Sequence, residues 1–214
     1  WYQGCNNVGR AAQHQALFQT LITDWRKCWK NPDMPFYFVQ LANYLQPSDL
    51  QPESQWALLR ESQADALCLP HTGMVSNIDL GDAKDIHPKT KREVGRRMAA
   101  IALNQTYGKH KTAFTAPVYE RYTVEADGIH IHFATPQGSE PLVIEDNLPG
   151  FILAGANRQW HVAKAKVLSG NEVVVSCEGI HFPVAVRYGW ADNPTCTLRT
   201  QSGLHVAPFR TDRW

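Results

Sequence analysis

Apolar positions follow a helical period early in the chain and a strand period late in it. Between Arg10 and Trp29, Leu17, Leu21 and Trp25 recur four apart, with Phe18, Ile22 and Trp29 beside them. That spacing predicts an amphipathic helix over 10–29. Pro35 then leads into Phe36-Tyr37-Phe38-Val39-Gln40-Leu41, a short apolar run suited to a buried parallel strand. A polar loop with Pro47 and Pro52 follows, and Ser54 is placed to cap a helix through Trp56, Leu59 and Gln63. A second strand is expected over Met74–Leu80. Pro88 suits the first position of a last helix, with Val94, Met98 and Ile101 on one face and Lys91, Arg92, Arg96 and Arg97 mostly on another. From about residue 112 the period changes. Asp127-Gly128 precedes the alternating Ile129-His130-Ile131-His132-Phe133, Gly170-Asn171 precedes Val173-Val174-Val175, and Pro183–Tyr188 reads as one more strand. The pattern is α/β up to a boundary near Lys111, followed by a small β-sandwich over 112–214.

Composition narrows this little. The chain has 214 residues, 43% of them hydrophobic, and a formal net charge of +1. It can bury a sizeable core, and electrostatics imply no nucleic-acid or membrane partner. No apolar run approaches the roughly 20 residues of a membrane span. The start at Trp1, without an initiator Met or signal peptide, reads as a piece of something longer. Five scattered cysteines contain no C-x-x-C pair, so no metal site is expected, although Cys177 and Cys196 could pair. Asn104-Gln105-Thr106 is a glycosylation sequon of a kind common by chance. His130 and His132 share one strand face but are too few for a metal. Trp160, Tyr188 and Trp190 fit core or inter-domain packing better than sugar stacking.

Two strings carry chemistry. In Asp85-Ile86-His87-Pro88, the proline pushes His87 out of helical geometry and presents it on a strand-to-helix loop. A carboxylate beside such a histidine fixes its tautomer and stabilises the imidazolium, as a hydrolytic base requires. Asp85 is two residues away and favoured; Asp82 is the alternative. By spacing alone, the string also fits a capped helix with a surface histidine. At the start of the chain, Gly4-Cys5-Asn6-Asn7 reads as a tight turn from which an Asn amide could reach a developing oxyanion, although Gly and Asn also favour turns without any such role.

Trp1-Tyr2-Gln3-Gly4, the Leu17–Trp29 helix, Pro35–Asn43, Asp85–Pro88, Val94–Arg97, Val186–Pro194 and Pro208–Asp212 resemble, in that order, the sialate O-acetylesterase family of SGNH-type hydrolases. The resemblance corresponds to the C-terminal portion of a longer family protein. It implies a partial three-layer α/β/α sheet over 1–111, followed by the β-sandwich. It implies carbohydrate O-acetylesterase activity, on sialic acid or an acetylated glycan, by acyl transfer to a serine. His87 is then the base and Asp85 its orienting acid, while Asn7 and Gly4 match the oxyanion-hole positions. No cofactor is implied, and the setting would be secreted, periplasmic or lysosomal. Cys5 and Asn6 stand where the family usually has Glu and Ser. No serine here sits in a nucleophile setting, since Ser48, Ser54 and Ser76 fit loop, cap and strand. The serine is expected from an N-terminal segment of the same protein, and the 214 residues alone are expected to be inactive. The rival reading is a non-catalytic carbohydrate-binding or interaction module on an esterase scaffold.

Overall fold

The computed structural model describes residues 1–109 and 112–214. The expected boundary at Lys111 therefore lies outside the described residues. The first half contains helix α1 (Ala11–Cys28), strand β1 (Phe36–Val39), helix α2 (Gln55–Ala64), strand β2 (Thr72–Val75) and helix α3 (Lys91–Gln105). β1 and β2 run parallel, with Phe36 opposite Thr72 and Val39 opposite Val75. Main-chain bonds also occupy the other edge of β1. The Trp1 amino group donates to the Tyr37 carbonyl at 2.8 Å, and Val39 N–H donates to the Trp1 carbonyl at 2.9 Å. Helices cover both faces. Phe36 and Phe38 pack on Phe18 and Ile22 of α1, while Val39 and Val75 pack on Val94 and Ile101 of α3.

Three expectations change here. The buried stripe of α1 is His14, Phe18, Ile22 and Arg26, one position off the stripe read from the sequence. Leu17 is 63% exposed and Trp25 43%. Phe18 and Ile22 meet Phe36 and Phe38, so theirs is the stripe that is buried. The second strand is Thr72–Val75 rather than Met74–Leu80. It includes Gly73, where a Cβ would lie 2.7 Å from Ile101 Cγ2, so the glycine lets α3 pack close. α3 begins at Lys91 rather than at Pro88, and Arg97 is buried rather than on the solvent face. Its guanidinium grips Asp79 in a fork at 2.7 and 2.6 Å, donates to the Ser76 carbonyl, and takes Glu93 one turn back. The β2–α3 loop is thus bolted to the helix that follows it. Ser54 caps α2 as expected, accepting from Ala57 N–H at 3.0 Å.

The second half is built from strands β3 (Val118–Glu125), β4 (Gly128–Ala134), β5 (Phe151–Gly155), β6 (Trp160–Val162), β7 (Lys164–Ser169), β8 (Glu172–Ser176), β9 (Pro183–Tyr188) and β10 (Phe209–Arg210). They form two antiparallel sheets ordered β3-β4-β8-β7 and β10-β9-β5-β6. Alternate residues of both fill one core: Ile129, Ile131 and Val173 from one sheet, Phe151, Leu153 and Val186 from the other. The Asp127-Gly128 and Gly170-Asn171 turns close the β3–β4 and β7–β8 hairpins. All five cysteines are free. Cys177 and Cys196 do not pair; Cys196 is packed in the core, where burial pushes its thiol up to about 12.

The two halves meet over a polar seam. Arg60, fully buried, donates to the carbonyls of Leu41 and Ala42 on its own side and of Ala191 and Asp192 across the seam. Burial lowers its guanidinium to about 10. Ser54 Oγ and Gln51 Nε2 donate to the Asp192 carboxylate. Trp190 and Ile152 pack on Ala57 of α2. Tyr188 and Trp190 are therefore core and interface groups, and Arg187 lies against the Trp160 ring.

Candidate active site

Parallel strands place their carboxyl ends, and the loops that follow them, at one end of a sheet. Three such loops converge here. The first leaves Trp1 and forms a single 3-10 turn over Cys5–Asn7, closed by Asn7 N–H donating to the Gly4 carbonyl at 2.8 Å. The second leaves β1 at Gln40. The third leaves β2 and runs to α3, carrying Asp85 and His87. Cys5 and Val8 from the first loop and Ile86 from the third pack on one cluster of Leu41, Trp56 and Leu59. Tyr2 also joins the loops, since Asn77 Nδ2 donates to its hydroxyl at 3.2 Å.

The turn at Gly4 leaves no room for a side chain. A Cβ there would lie 2.9 Å from Gln63 Nε2 and 3.3 Å from Leu41 Cδ2. Gln63 fixes this corner by donating to the Gln3 carbonyl and accepting from Leu41 N–H. Asn7 is oriented by its neighbour. Gln3 Nε2 donates to Asn7 Oδ1 at 2.8 Å, which turns the Asn7 amide hydrogens away from Gln3. Burial pushes the Cys5 thiol up, so it is a poor nucleophile near neutrality.

Asp85 and His87 are together. Asp85 Oδ1 accepts the His87 backbone N–H at 2.9 Å and lies 3.4 Å from His87 Nδ1. The backbone bond, then the imidazole, hold the Asp85 carboxyl below the usual carboxylate range. The His87 side chain is 84% exposed, so Nε2 is open to an incoming group. Asp82 instead caps its own turn, accepting Lys84 N–H at 2.8 Å. The loop approaches its neighbour closely at Gly81, whose N–H donates to Asn43 Oδ1 at 2.7 Å. A Cβ on Gly81 would stand 1.8 Å from the Asn43 carbonyl oxygen, so a side chain there displaces the loop. Asn43, Gln63 and Gly81 escaped sequence reasoning. Their roles come from contacts with distant backbone, and no local motif marks them.

The other sequence candidates lie elsewhere. Asn104 is buried and its amide donates to the Ala100 and Thr112 carbonyls, so it is no glycan acceptor. His132 bonds Thr123 and does not join His130 at one site. His130 instead faces Glu172 on Nδ1 at 2.8 Å and Asp127 on Nε2 at 2.9 Å, with Glu125 beyond. Glu125, Asp127 and His130 could together reach one cation, but a proton on each ring nitrogen satisfies the same groups. Burial works against the imidazolium. The bonds to Glu172 and Asp127 and the nearby acids outweigh it and raise His130 above its ordinary value. A raised folded value adds stability that is complete below the unfolded value of about 6.5 and is lost as pH rises through the folded one. The melting temperature should therefore fall as pH rises above about 6.5, and less so in His130→Gln. Equal falls in both proteins would rule the effect out.

Residues 1–104 match a family of carbohydrate esterases, described as sialic acid-specific acetylesterase. The sialate O-acetylesterase of Mus musculus is 27% identical over 98% of this chain, and that of Homo sapiens is 25% identical over 98%. A solved carbohydrate acetylesterase from Xanthomonas citri superposes on the whole chain with a TM-score of 0.90 at 37% identity. The chain is a relative of the sialate O-acetylesterases. It spans 43% of the mouse protein and 50% of the Xanthomonas chain.

Proposed function

We propose that the protein is a carbohydrate O-acetylesterase, with His87 as base, Asp85 as its orienting acid, and Asn7 and Gly4 shaping the oxyanion hole. The observation that carries this reading is the Asp85–His87 pair, held on an exposed loop beside the turn of Asn7, in a chain related to acetylesterases throughout its length. A neutral His87 takes the proton of a serine hydroxyl as the oxygen attacks the acetyl carbon. Asp85 balances the imidazolium that results. The Asn7 amide hydrogens meet the oxyanion, and His87 returns its proton to the departing sugar oxygen. The serine comes from a segment of the full-length protein outside these 214 residues, which alone are inactive.

That segment would complete a three-layer α/β/α sheet of the SGNH type over 1–111, ahead of a β-sandwich over 112–214. Two features support it. The Trp1 main chain already pairs with β1 as a strand would. Beside it, Leu17, Trp25 and Trp29 give α1 a second, exposed apolar face. The test is acetate release from an O-acetylated sugar by the full-length protein and its Asn7→Ala variant. A loss of about a hundredfold is expected, as for one oxyanion donor. Equal rates would remove Asn7 from the site, and no acetate from either protein would refute the esterase reading.

A further inference from the structure

The loop that carries His87 rests on the chain that leaves β1, and the second half holds that chain in place. Gly81 N–H donates to Asn43 Oδ1 at 2.7 Å, and Asp82 forms a parallel bridge with Tyr44. Tyr44 and Ile86, the residue before His87, pack on the same cluster of Leu41, Trp56 and Leu59. Residues 43 and 44 are thus the floor of the loop. From the second half, the Asp192 carbonyl accepts Tyr44 N–H at 3.1 Å. Asn193 Oδ1 accepts from Asn43 Nδ2 at 2.6 Å, which sets the oxygen end of the Asn43 carboxamide toward Gly81.

Asn193 also closes a strained turn. Its Nδ2 donates to the Leu45 carbonyl at 2.6 Å, and its own carbonyl accepts Ser48 N–H at 3.1 Å. Leu45 has φ 73°, left-handed backbone that a bulky residue occupies only where its surroundings impose it. Leu45 is 43% exposed, so packing of its side chain supplies little of that constraint. Asn193 is buried, and one carboxamide therefore holds both the residue that receives the loop and the turn that follows it. We propose that Asn193 is a positioning residue for His87, by which the second half fixes where the base stands. This rests on the esterase reading above. Without Asn193, Leu45 relaxes to an ordinary φ, residues 43 and 44 shift, and the loop resting on them carries His87 out of line. A misplacement of about 1 Å can cost about a hundredfold in rate.

The experiment measures kcat and KM for acetate release from an O-acetylated sugar by the full-length protein, well below its melting temperature. Asn193→Ala should lower kcat about tenfold and leave KM in place. Adding Leu45→Gly should return part of that loss, because glycine takes left-handed backbone without strain. Val173→Ala, in the sandwich core, serves as the control: it should lower the melting temperature and leave kcat unchanged. Asn193→Ser carries the same expectation as Asn193→Ala if the alanine protein does not fold, since a hydroxyl is too short to reach both partners. A wild-type kcat in the Asn193 variant, a loss matched by Val173→Ala, or no recovery on adding Leu45→Gly overturns the role of Asn193 and leaves the esterase reading standing. A wild-type protein that releases no acetate overturns both.

Discussion

Acetate release by the full-length protein should fall about a thousandfold when His87 is replaced by alanine. The base would be gone, and Asp85 cannot replace it. The carboxyl is held ionised by the His87 backbone N–H and is too weak a base to activate a hydroxyl near neutrality. The substitution leaves folding alone, because the His87 side chain is 84% exposed. A large loss of rate at unchanged melting temperature is therefore the signature of chemistry. Asp85→Asn should cost less, about a hundredfold, since the amide oxygen can still accept the backbone N–H while the imidazolium loses its counter-charge. A His87→Ala protein that works at the wild-type rate would refute the assignment and favour the rival reading, a binding module on an esterase scaffold.

Arg60→Met should destabilise the chain by about 3–5 kcal/mol, as measured by chemical denaturation. Arg60 is wholly buried, and its binding partners are main-chain carbonyls from both halves: Leu41, Ala42, Ala191 and Asp192. Methionine fills much of the volume but leaves these oxygens dry and unbonded. Lysine should rescue little, because one ammonium cannot span the fork that four carbonyls define. A loss below about 1 kcal/mol would mean that the seam rearranges or admits water.

Arg60 also marks where the sequence stops being legible. Its neighbours predict a helix, and the cap at Ser54 predicts where it starts, but nothing local says that the arginine points inward. The partners of its guanidinium lie 18 and 19 residues away in one direction and 131 and 132 in the other. Arg97 misled for the same reason, since Asp79 lies on the preceding loop. In α1 the period was clear but its phase was not, because Leu17–Leu21–Trp25 and Phe18–Ile22 are both apolar and only the phenylalanines of β1 decide between them. The hairpins of the second half were readable because Asp127-Gly128 and Gly170-Asn171 set register locally. At the site, Asp85 beside His87 was readable from a two-residue spacing. The corner that Gln63 builds around Gly4 was not, because it is made of long-range contacts to backbone.

Asn43 ties the His87 loop to the rest of the molecule through carboxamides alone. Its Oδ1 accepts Gly81 N–H, its Nδ2 donates to Asn193 Oδ1, and Asn193 donates in turn to the Leu45 carbonyl. No member of this relay gains or loses a proton under physiological conditions. This tether of the loop is therefore indifferent to acidity, unlike the ion pair of Asp79 with Arg97 that holds the same loop to α3.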